Sequence, residues 1–468
     1  MKKSLAVTLV ALFVLALSFA MVPKKANAIP AFAQKYHFSC AVCHTVFPNL
    51  NPFGRAFWRN GFRLPGTNGT PADATQITNG LSLPNPWPIP VVFEAQIYYQ
   101  HVTNEHVLPE GHSSLTDSFN VADNLVIGGA TKLYTPFANS LSFYANYGER
   151  NSSGLSGSVW ASLNGLGSGF GLAPHLFNLK LGMVTTASPY FYRQQPFSGG
   201  FKIGPTINGQ DLNVGYDGEN GVLIHNGNAG IALYGTPGYH LWYKVTMTND
   251  GGSPVDGAST KNGIGSGGAS NAMEYSYQLK EYAPTPAGQL EFGYYGASIA
   301  EPLAMATTPD QQWTDGIQVN GVDADLANDV YELGVTYMEQ HDSNPYGGVS
   351  YDGHHTNGFS DFEAYGRYLF PTLLGHGVML VADYSTYSWQ HKQSEEAFNA
   401  GGTLPATCAN ADLYQSGASY GTCNEGIKDA FDVFGDINLA YNAHLYAGYI
   451  FTNKQEDDMF RTGLYFAF

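Results

Sequence analysis

The sequence predicts an all-β protein, a transmembrane antiparallel β-barrel of about 16 strands, preceded by a small N-terminal unit. Three observations predict it. Apolar and polar residues alternate with a period of two through nearly all of the chain after residue 90, as strands with two different faces require. Tight turns and long loops alternate between those segments, the pattern of barrels with short turns at one rim and extended loops at the other. Aromatics are abundant, with 31 Tyr and 28 Phe, while charged residues make up only 13% of the chain. That composition suits a wall with an apolar outer face and aromatic girdles.

The elements follow in chain order. Residues 1–28 read as an export signal: Lys2 and Lys3, an apolar run from Leu5 to Val22, and the small-x-small site Ala26-Asn27-Ala28. The mature chain is expected to start at Ile29. Residues 29–66 form a unit of their own. Residues 67–90 are a polar linker with Gly and Pro and no regular period. Residues 91–468 are the barrel. Fifteen strands can be read there, from 91–102 to 459–468. The alternation of turns and loops fails only between Ser298 and Val330. One more strand at 313–321, where Ile317 and Val319 alternate, restores it. The total becomes even, as single-chain bacterial barrels require. In the last strand Leu464, Phe466 and Phe468 share one face. A terminal aromatic after an alternating strand resembles the signal by which outer-membrane barrels are recognised for assembly. Beyond the leader, no stretch has the ~18 apolar residues that a membrane helix needs.

The charge balance is acidic, 21 Lys+Arg against 38 Asp+Glu. Loss of Lys2, Lys3, Lys24 and Lys25 with the leader makes it more so. Nucleic acid, whose phosphates want a basic surface, is excluded as a partner.

The segment 29–66 carries Cys40-Ala41-Val42-Cys43-His44. Two thiols at this spacing meet the two vinyl groups of a haem, and the adjacent histidine binds its iron. One covalent haem c on Cys40 and Cys43 is therefore expected, with His44 as an axial ligand. The alternatives fit less well. A redox dithiol would prefer a thioredoxin-like βαβ context. A zinc site needs more Cys or His ligands nearby, and only His37 is close. A structural disulfide gives His44 no role. The second axial ligand stays open between His37, whose reach around the cysteines is short, and barrel residues such as Met183, Met247 or His225 turned into the lumen.

Further along, Cys408 and Cys423 bracket a long loop and are expected to pair in an oxidising compartment, a closure worth ~3 kcal/mol in the chain-entropy view. His354 and His355 sit together in another outer loop and are read first as solvated, second as a metal contact. The acidic runs Asp323-Ala324-Asp325 and Glu456-Asp457-Asp458 are read as solvated too.

Ile29-Pro30-Ala31-Phe32-Ala33, the haem motif, and Phe47-Pro48-Asn49-Leu50-Asn51-Pro52-Phe53-Gly54-Arg55-Ala56-Phe57 together resemble the fused monohaem cytochrome–porins of iron-oxidising bacteria. The spacing after His44, Thr45 and Val46 only, is shorter than in the iron-oxidase members. The resemblance implies a cytochrome unit joined to an outer-membrane barrel; one haem cannot bridge an apolar band ~25 Å tall unless it sits within the lumen, so the unit is expected to plug the barrel. It also implies electron transfer of an oxidoreductase type from extracellular Fe(II) to a periplasmic c-type cytochrome or cupredoxin. An outer-membrane lipid environment goes with it. The competing expectations are a diffusion porin with a haem appendage, or a conduit for a different donor.

Overall fold

The computed structural model describes residues 38, 42–46, 49–64, 74–76, 82–84, 91–102, 117–133, 135–150, 155–184, 206–207, 210–211, 228–238, 240–249, 264–266, 273–305, 308–342, 357–371, 377–389, 429–440, 443–452 and 459–467. Sixteen long strands form the wall. They are β1 Val91–Val102, β2 Asp117–Lys132, β3 Ser140–Arg150, β4 Leu155–Asn164 and β5 Asn178–Val184. Then come β6 Asn228–Gly235, β7 Leu241–Asn249, β8 Met273–Thr285, β9 Gly288–Met305, β10 Thr308–Ala327 and β11 Tyr331–Asp342. The last five are β12 Asn357–Phe370, β13 Val378–Trp389, β14 Asp429–Ala440, β15 Ala443–Thr452 and β16 Met459–Ala467. Each pairs antiparallel with its neighbour in sequence, and β16 pairs with β1 to close the ring. Closure leaves no free edge, which is what lets a sheet stand in a bilayer with its backbone satisfied.

The two faces have inverted polarity. Phe93, Ile97, Val159, Phe292 and Leu333 point outward and are exposed, whereas Ser142, Ser162, Thr246, Glu274 and Lys280 point inward and are buried. A water-soluble protein would do the reverse. An apolar exterior around a polar interior is the arrangement of a membrane barrel.

The strand expected at 313–321 exists and is much longer. β9 and β10 run for 18 and 20 residues and pair from Gln289↔Ala327 to Met305↔Thr308. At about 3.3 Å per residue, β10 extends some 60–70 Å, well beyond an apolar band ~25 Å tall even when tilted. This hairpin projects past the rim opposite the short turns. The sequence of the projecting part, with Asp310, Gln311, Gln312 and Asp315, lacks the apolar alternation that marks a membrane segment. The linker also departs from expectation. Ala74–Gln76 and Ser82–Pro84 pair as a small hairpin, so 67–90 is not wholly irregular.

Among the described residues there is one α-helix, α1, Pro52–Arg59. Its ends are written locally. Asn51 is the N-cap, its Oδ1 accepting from Gly54 N–H at 2.9 Å, and Pro52 takes the first position, where no N–H is needed. At the other end Gly61 N–H donates to Trp58 O and Phe62 N–H to Phe57 O, both at 3.0 Å. This is the double bond of a Schellman stop, with Phe57 and Phe62 in the apolar contact that accompanies it. Gly61 has φ +67°, and Phe62, without a glycine's freedom, also has φ +61°. Such a value in a bulky residue persists only where packing enforces it.

Gly61 is doubly constrained. A Cβ there would lie 2.9 Å from Tyr234 Oη and 3.0 Å from Ser142 Oγ, besides the roughly 1–2 kcal/mol cost of a left-handed L-residue. Gly61→Ala should therefore loosen the helix from the wall. Limited proteolysis should cut residues 38–64 faster than in the unaltered protein, with the heat-modifiable gel mobility of the folded barrel unchanged. Equal cutting rates would contradict the packing described.

Candidate functional site, the lumen plug

α1 lies inside the barrel close to the rim of short turns. Arg55 and Arg59 are one helical repeat apart, so they leave α1 on one face. They enter a wall of inward carboxylates. Arg55 donates from Nη1 to Glu332 Oε1 at 3.1 Å and from Nη2 to Asp325 Oδ1 at 3.2 Å. Arg59 binds Glu291 in a fork, at 2.7 Å and 3.0 Å, and donates also to Tyr282 Oη. Lys280 bridges Glu291, at 3.4 Å, and Asp323. Arg367 reaches Glu332 at 3.4 Å. Four cations thus face four carboxylates across α1, β8, β9, β10, β11 and β12. All eight are nearly inaccessible, with side-chain exposures of 5% or less.

The segment after the helix is clamped to the opposite part of the wall. Arg63 donates to Asn178 Oδ1 at 2.8 Å on β5. The Ser142 hydroxyl donates to Gly61 O. The Phe62 ring stacks on Trp160 at 5.6 Å between centroids, and Trp160 stacks on Tyr144 at 5.7 Å. Lys180 Nζ sits 4.1 Å from the Trp160 ring centre, a cation–π contact. The plug therefore touches β3, β4 and β5 on one side and β8 to β11 on the other.

The Cys–His motif rests on the N-terminal end of α1. His44–Val46 pairs with Asn49–Leu50 as a tight hairpin. Asn51 N–H donates to Cys43 O at 2.9 Å, and Asn51 Nδ2 donates to Val42 O at 3.0 Å. Gly54 is required here by close approach, since a Cβ on it would stand 2.1 Å from Cys43 O. Phe38 and Phe53 meet edge to face, with ring centroids 6.1 Å apart. Cys43 and His44 are both half-buried. Cys43 and His44 set one thiol and one imidazole side by side against the start of α1, two of the three groups that a Cys-x-x-Cys-His haem site uses.

Several sequence-derived candidates find their place, and others do not. Cys40, His37, His225, His354, His355, Cys408, Cys423 and the run 456–458 lie outside the described residues. Met183 and Met247 are corrected. On β5 and β7 the inward positions are Asn178, Lys180, Thr246 and Thr248, so the alternate residues Met183 and Met247 share the outward face with Leu181 and Val245. Neither enters the lumen. Asp323 and Asp325 are corrected as well. They are not a solvated run but inward residues of β10, 5% and 2% exposed, tied to Lys280 and Arg55. What the sequence reading missed is the recurrence Arg55, Arg59, Arg63. Three arginines at intervals of four in a charge-poor chain are the signal that could have revealed a basic segment; Arg55 and Arg59 form its helix face, and Arg63, beyond the helix stop, binds Asn178 instead.

No family model matches this chain, and no curated protein matches it. Among solved structures, Salmonella typhi OmpF in complex with daunomycin superposes with a TM-score of 0.50 at 12% identity, covering 85% of this chain and 100% of that one. The fold is porin-like. An engineered variant of Rh. blastica porin gives a TM-score of 0.41 at 12% identity over 81% of this chain and 100% of that one. At these identities the likeness concerns the fold alone.

Removing one partner of a buried ion pair leaves the other charged and unsolvated, at a cost of about 3–5 kcal/mol. Arg59→Met should lower the denaturant midpoint of plug unfolding, followed by the fluorescence of Trp58 and Trp160. Arg59→Met with Glu291→Gln should recover part of that loss. Strictly additive effects would show that the two residues do not share one interaction.

Proposed function

We propose that this chain is an outer-membrane protein in which a haem-bearing plug passes electrons through the barrel and so across the outer membrane. In this reading Cys40 and Cys43 hold one haem c, His44 binds its iron, and the haem supplies a one-electron redox centre. The observation that carries it is the anchoring of α1. The segment that presents Cys43 and His44 is held within the wall by buried ion pairs, not hung outside it. A haem held there would stay with the barrel rather than hang free of it, which shortens the distance that electrons must cover. The family resemblance of residues 29–57 supports extracellular Fe(II) as the donor and a periplasmic c-type cytochrome or cupredoxin as the acceptor.

In this reading the chain's own residues position and insulate. Asn51 and Gly54 fix the backbone of Cys43 against the helix. Arg55 and Arg59 set the depth of the plug. Phe62, Trp160 and Tyr144 close the side toward β3 and β4 with aromatic surface. A second reading, a diffusion porin with a haem appendage, is favoured by the porin-like fold.

Two measurements separate them. Protein purified with its haem should be reduced by Fe(II) in stopped flow, seen as a Soret shift, and should conduct little salt in planar bilayers until residues 29–66 are deleted. Absence of Fe(II) reduction would remove the iron donor. An open pore insensitive to that deletion would favour the diffusion porin.

A further inference from the structure

A groove runs along β12 on the outer surface of the wall, with a volume of about 450 Å³. Its floor is Ala364 and Gly366, both outward positions of the strand. The next outward residues on either side are large, Phe362 and Tyr368, and both are exposed. One side of the groove is Leu333 and Val335 on β11, the ladder partners of Gly366 and Ala364. The other is Tyr384 on β13, partner of Ala364, with Phe431 beyond it on β14. The backbone does not demand a glycine at 366. Its φ is not positive, and a Cβ there would meet only the tip of Leu333, at 3.2 Å, and Glu332 O, at 4.0 Å. The hollow comes from the choice of side chains, not from the strand.

Its position says what covers it. Toward the short turns, Tyr331 and Tyr368 are ladder partners, and Tyr331 Oη donates to Ala287 O at 2.7 Å. Toward the long loops, Tyr337 is the partner of Phe362, and its Oη donates to Glu339 Oε1 at 2.8 Å. Nearby, Tyr277 Oη donates to Asn320 Oδ1 at 2.7 Å. Tyrosines with rings on an apolar wall and hydroxyls on polar groups mark the two interfaces of a membrane barrel. The groove lies between these two levels, where its surroundings are hydrocarbon. The space is also small. From Phe362 to Tyr368 is about 20 Å, and from β11 to β13 about 10 Å, a footprint of roughly 200 Å². A stable interface with a second copy takes about 800 Å² on each partner. A single hydrocarbon chain matches the length and the width.

We propose that this groove holds one acyl chain of a membrane phospholipid, seated over Ala364 and Gly366 between Leu333 and Tyr384. The side chains that form the sides and floor are apolar but for the Tyr384 hydroxyl, so the chain is recognised and the headgroup is not. A lipid held here exchanges more slowly than those that only border the wall. No haem atom takes part, so the proposal is independent of the electron-transfer reading.

The test titrates full-length protein in detergent micelles with palmitoyl-oleoyl phosphatidylethanolamine and counts bound lipid by native mass spectrometry. One lipid per chain should bind ahead of any others. Ala364→Leu combined with Ala382→Leu fills the groove from outside and should weaken that first binding by about tenfold or more, the effect of losing contact with roughly two methylenes. Ala447→Leu, on the outward face of β15 and away from the groove, should leave it unchanged. Heat-modifiable gel mobility checks that each variant folds. Should the double variant fail to fold, chain length decides on the unaltered protein: dihexanoyl phosphatidylethanolamine, with the same headgroup, should bind at least tenfold more weakly. The proposal is overturned if no first lipid is preferred, if the folded double variant binds it as well as the unaltered protein, or if Ala447→Leu loses as much. It is overturned equally if the short-chain lipid binds as tightly, or if filling the groove splits a dimer, which would make the occupant a second copy.

Discussion

The architecture turns on one electrostatic match. The barrel interior carries Glu291, Asp323, Asp325 and Glu332 near the short turns, with Lys280 and Arg367 beside them among the described residues of the wall. The plug brings Arg55 and Arg59 and completes the balance. Neither half is comfortable without the other. With the plug seated, loss of either side of the match would leave charges buried without partners. The match also fixes the register of the plug. A guanidinium forked onto a carboxylate tolerates little rotation, and Arg59 on Glu291 is such a fork.

Much of the barrel was legible because its rule is simple. Period-two alternation follows from a wall with lipid on one side and polar groups on the other, and the strands of such a wall announce themselves one by one. β1 and β15 fall almost on their expected limits. The exception, β10, hides because much of it stands clear of the apolar band and because its inward face near the short turns serves the plug. Asp323 and Asp325 are polar where a soluble strand would be apolar, so locally they resemble a loop.

The site was legible in a different measure. The expectation of a haem rests on the local spacing of five residues, Cys40 to His44. The supports of that segment are not legible locally, because they come from distant parts of the chain. Arg55 finds Asp325 and Glu332 about 270 residues away, and nothing in local sequence ties them together. Direction was also hidden. Met183 and Met247 are ordinary candidates by residue type, and only the parity of β5 and β7 sends them to the outer face. The arginine repeat was visible but became meaningful only with its acidic partners in view.

The seating of α1 between two arcs of the wall bears on the order of assembly. The plug precedes every strand of the wall in the chain, yet it is gripped by β3–β5 and by β8–β11, and the ring is sealed last in sequence, where β16 meets β1. A plug crossed by contacts on both flanks is most readily enclosed while that seam is still open.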